Sequence, residues 1–91
     1  MNIQETKLRL EQYYDIKDIS AKGRQIEQID AKRYCIWYCR NAGFKAMHIS
    51  VKLGLNIHTV NHHKRYINDM IDIEDKKTLS DIYSIFKLDL S

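Results

Sequence analysis

Apolar positions along the chain recur at helical rather than alternating spacing, and three glycines with no proline mark where that pattern breaks. The first segment, about Ile3 to Tyr14, carries Leu8, Leu10, Tyr13 and Tyr14 as apolar positions on a charged background. A short helical turn is expected around Ile16 to Ala21, followed by a polar, basic loop at Lys22-Gly23-Arg24-Gln25. From about Gln28 to Ala42, Ile29, Ile36, Tyr38 and Cys39 recur at helical spacing, which predicts a central core helix with Arg33 and Arg40 facing outward. Gly43 should end that helix, because glycine adopts positive φ most cheaply.

A short helix over about Lys45 to Leu53, with Met47, Ile49 and Leu53, gives way at Gly54 to a second helix over about Ile57 to Ile71. After Asp72 to Asp75, a last amphipathic helix sets Leu79, Ile82, Tyr83 and Phe86 on one side. The chain therefore reads as all-α, a single-domain bundle of about five to six helices over residues 1–91. Within it, residues 45–71 have the order of a helix-turn-helix: short helix, glycine-containing turn, second helix.

At 100° per residue, Val60, Ile67 and Ile71 of the second helix fall on one line, with Ile57 and Lys64 at its edge. His58, Asn61, His62 and Arg65 fall on the opposite side, flanked by Thr59 and Tyr66. An ordinary solvated face mixes glutamate and lysine; this one carries side chains suited to base edges. Arginine grips guanine, asparagine grips adenine, and a threonine methyl touches that of thymine. Major-groove base readout is accordingly expected from His58, Thr59, Asn61, His62 and Arg65.

Charge sharpens the picture. The net charge is only +3, but nine basic residues face two acidic ones between Lys22 and Tyr66, against six and ten elsewhere. A basic middle between acidic ends suits a polyanion. Phosphate contacts are expected from Arg33, Lys45, Lys52 and Lys64, with Lys22 and Arg24 reaching the neighbouring backbone or minor groove.

Other chemistry fits less well. Cys35-x-x-x-Cys39 and His58-x-x-x-His62 have zinc-ligand types, but eighteen residues separate the pairs, against about twelve in the common zinc finger. Two small apolar residues on a core-facing helix are the simpler reading of the cysteines, and their spacing suits a reducing cytosol better than a disulfide. No nucleophile–base spacing, glycine-rich loop or Gly-x-x-x-x-Gly-Lys-[Ser/Thr] is present, so a non-enzymatic protein without cofactor, metal or ATPase is expected. Neither a membrane span nor a signal-peptide core is visible, and a cytoplasmic, nucleoid-associated protein is expected. The competing reading is a protein-interaction module docking through Ile85, Leu88 and Leu90 of the last helix.

In order and spacing these segments resemble the C-terminal DNA-binding domain of the bacterial chromosomal replication initiator DnaA. His58-Thr59-Val60, His62 and Arg65 with Ile67 match its second-helix signature, Glu11 to Ile16 its first helix, and Arg33 to Arg40 its central helix ending in Cys-Arg. The likeness runs from about Leu8 to the C-terminus. It implies a Trp-repressor-like helix-turn-helix, duplex DNA as partner, and a basic loop, here Lys22 and Arg24 with Glu27 intruding, at the minor groove. Asn56 and Ile57 depart from the family pattern, which implies a changed preferred site. Without the family's ATPase, the implied role is control of replication initiation or transcription by a bacterial or phage-encoded regulator, with a replication initiator as a further partner.

Overall fold

Five α-helices account for the regular structure of the computed structural model, which describes residues 1–23 and 25–90. They are α1 (Ile3–Tyr14), α2 (Ile26–Asn41), α3 (Ala46–Leu53), α4 (Ile57–Asp72) and α5 (Lys76–Phe86). Four of the boundaries have a clear local cause. Asn2 and Glu5 form a reciprocal capping box that starts α1, while the side chains of Asn56 and Asp75 cap α4 and α5. Gly54 closes α3 in the left-handed conformation at φ 63°, where a side chain would be strained.

The expected helical turn at Ile16–Ala21 is instead a string of turns and bends. Asp15, at φ 55°, ends α1 in a left-handed cap, and the Ile16 amide donates back to the Glu11 carbonyl at 2.8 Å. Beyond it, side chains satisfy the backbone. The Ile19 amide donates to the buried Glu11 carboxylate at 3.0 Å, and Gln28 Nε2 lies 2.9 Å from the carbonyls of both Asp18 and Ile19.

Helix α2 is the axis of the bundle. At 1.5 Å per residue its sixteen residues span about 24 Å, nearly the 25–26 Å width of the molecule. It packs against α1 and α4 and buries Ala31, Tyr34, Cys35, Ile36, Trp37 and Cys39. With burial on several sides, it lacks a single apolar stripe. Its outward arginines are largely engaged. The Arg40 guanidinium donates to the Phe44 carbonyl at 2.9 Å, and that of Arg33 lies 3.8 Å from the centroid of the Tyr66 ring on α4.

The outer helices bury other faces than periodicity predicts. In α1 the core takes Ile3, Thr6, Leu10 and Glu11, leaving Leu8 and Tyr13 about half exposed. In α5 it takes Thr78, Ile82, Ile85 and Phe86, leaving Tyr83 54% exposed. Local bonds make the polar members tolerable: Thr6 Oγ1 donates to the Asn2 carbonyl and Thr78 Oγ1 to the Asp75 carboxylate. Phe86 stacks on Tyr38 at 4.4 Å between centroids, and the Tyr34 hydroxyl donates to Asp81 at 2.8 Å, so α5 is tied to α2. Ile85, expected on a docking strip, is therefore core; Leu88 and Leu90 beyond the helix remain exposed.

Candidate nucleic-acid interface

Helices α3 and α4 are joined by three residues, Gly54, Leu55 and Asn56, and each stiffens the join. The Leu55 amide donates to the Ser50 carbonyl at 2.9 Å, and the Ser50 hydroxyl donates to the Leu55 carbonyl. Asn56 then caps α4, its side-chain oxygen accepting from the His58 amide at 2.7 Å. Asn56, a departure from the resembled signature, thus has a local structural task. Ser50 is part of the turn, its hydroxyl and carbonyl both bonded to Leu55.

Val60 and Ile67 are buried under α4, while Ile57, Lys64 and Ile71 are half-buried at its edges. On the far side His58, Asn61, His62 and Arg65 are all exposed, with Thr59 and Tyr66 half-buried beside them. None of the four exposed side chains makes a hydrogen bond or ion pair among the described residues. Two lysines outside this face are paired instead: Lys7 with Glu11 and Asp18, Lys77 with Asp30 and Asp81.

The basic residues divide into two groups. Lys22, Lys45 and Lys52 are exposed and unpaired among the described residues, and Lys64 is half-buried beside the outward face. Arg33 is only 21% exposed, stacked on Tyr66 with its Nε enclosed, so most of its guanidinium serves the α2–α4 seam. Arg24 lies outside the described residues.

His63 departs from its neighbours on α4. Burial, then the positive charges of Arg33, His62 and Lys32, push its imidazole down to about 4, and its Nδ1 is enclosed without a partner. It sits neutral against the seam with α2.

Cys35 and Cys39 are wholly buried, and the hydrogen bond between them together with burial raises the Cys35 thiol well above its ordinary value. They do not converge with His58 and His62, and among the described residues no three His, Cys, Asp or Glu side chains gather as a metal site would require.

No sequence motif marks Asn68. Its Oδ1 accepts from the Trp37 indole N–H at 3.0 Å, and it lines a surface pocket of about 240 Å³ with Asn61, Lys64 and Arg65. Its position seven residues after Asn61 is the one sequence signal that could have found it. No known protein family, curated protein or solved structure matches the chain.

Proposed function

We propose that the chain is a duplex-DNA-binding domain, with α3 and α4 acting as a helix-turn-helix that lays the outward face of α4 in the major groove. The observation that carries this reading is the exposed, unpartnered row His58, Asn61, His62 and Arg65 on a helix whose opposite face is locked into the core. A row of donors and acceptors without intramolecular partners is free to meet base edges, with Thr59 at its flank. Lys22, Lys45, Lys52 and Lys64 supply phosphate contacts around it, Arg24 reaches the backbone or minor groove, and Arg33 contributes whatever part of its guanidinium the seam leaves open.

The resemblance to the DnaA C-terminal domain extends the proposal to control of replication initiation or transcription, in a bacterial cytoplasm and without ATPase activity. Docking on a protein partner through the last helix is the weaker reading, because Ile85 is spent in the core and only Leu88 and Leu90 of that strip stay exposed.

Selection of bound duplexes from a random pool tests base readout directly. An enriched sequence is expected, and Arg65→Ala should weaken binding to it by about 1–3 kcal/mol while relaxing one base pair. Failure to bind any duplex at low salt would sink the proposal.

A further inference from the structure

Around the middle of α4, Asn61, Lys64, Arg65 and Asn68 line the 240 Å³ pocket, one helical stripe at spacings of three, four and seven. Trp37 determines what Asn68 offers there. An indole N–H only donates, so the amide oxygen of Asn68 must face it, and Nδ2, a donor alone, is left for the pocket side. Lys64 and Arg65 are likewise donors alone. Three of the four lining groups thus present no acceptor, and two carry charge.

Neither cation is neutralised from within the fold. Asp69 stands four residues after Arg65, a spacing that suits an ion pair, yet no ion pair joins them. A cationic pocket of donors matches a group that is anionic and only accepts, which describes a phosphodiester oxygen better than the mixed edge of a base pair. The pocket also lies at the margin of the outward face, between the row proposed to read bases and the α2 seam, where a groove-bound helix meets the backbone. Asp69 and Asp72 follow at once and mark the end of the surface that can approach a polyanion.

We infer that Lys64 and Asn68 clamp one backbone phosphate beside the base that Arg65 reads, with Trp37 as the positioning residue that holds the Asn68 amide donor-outward. The inference rests on the duplex-binding reading above.

Neutral methylphosphonate linkages scanned singly along a bound duplex test it. For the wild-type chain, one linkage should weaken binding about tenfold, the scale of a charge-assisted hydrogen-bond pair. Lys64→Gln and Asn68→Ala should weaken the unmodified duplex, alike on preferred and scrambled sequences, and should both become insensitive to that linkage. Thermal melting of each variant shows whether it is folded. Wild-type binding without any sensitive linkage, or variants that keep full sensitivity to it, would overturn the clamp while leaving DNA binding intact. Inorganic phosphate titrated at constant ionic strength separates the two sources of the anion. No saturable shift of the Asn68 side-chain amide resonance is expected, and tight binding of free phosphate would overturn the assignment to DNA. A wild-type chain that binds no duplex at all refutes the underlying reading instead.

Discussion

His62 and His63 are adjacent and identical, yet a 100° step on α4 gives them opposite environments. His62 is exposed beside Arg65, whereas His63 is turned against Arg33 and pushed down to about 4. In the unfolded chain His63 takes a proton near its ordinary 6.5, while in the folded chain it resists until about 4. The unfolded state therefore binds more protons across that interval, and stability present above pH 6.5 is lost as pH falls toward 4. Urea melts at intervals between pH 7 and 4 should show this decline, and His63→Gln should flatten it. Asp18 and Asp75 are held below their ordinary 3.8 by hydrogen bonds from Ser20 and Thr78, so their contribution is lost only at lower pH. An unchanged slope in His63→Gln would show that the imidazole is not the group responsible.

At the scale of elements, the α3–α4 unit depends on a few polar atoms. Asn56→Ala removes the side-chain acceptor for the His58 amide and should cost about 1 kcal/mol, read as a lower melting temperature. Asn56→Asp keeps an acceptor in place and should melt close to the wild type. A loss of DNA binding in Asn56→Ala without loss of stability would instead make Asn56 a direct contact. The helices themselves are legible in the sequence, because glycines and caps are local signals: Gly43, Gly54 and the polar residues before α4 and α5 all fall at real boundaries. The buried faces of α1 and α5 are less so. Thr6, Glu11 and Thr78 are buried because bonds to neighbouring atoms satisfy them, and no periodicity of hydrophobicity reveals such bonds.

For the whole molecule, the separation of charge has a measurable consequence. Four phosphate contacts, as proposed for Lys22, Lys45, Lys52 and Lys64, should lower duplex affinity about a hundredfold between roughly 50 and 200 mM salt. A salt-independent affinity would contradict an electrostatic footprint. Acidic residues meanwhile work within the fold: Asp30 and Asp81 hold Lys77, raising it to about 12, and link α2 with α5. The all-helical architecture, the order of its helices and the outward placement of His58, Asn61, His62 and Arg65 were determined by the sequence itself, since spacing along one helix sets which side chains share a face. Only the tertiary structure decided which apolar residues stay outside, why Arg33 and Arg40 turn inward, and how Trp37 orients Asn68. Apart from the local Arg40–Phe44 contact, these depend on partners 31 to 48 residues apart in sequence, brought together by packing that no local pattern encodes.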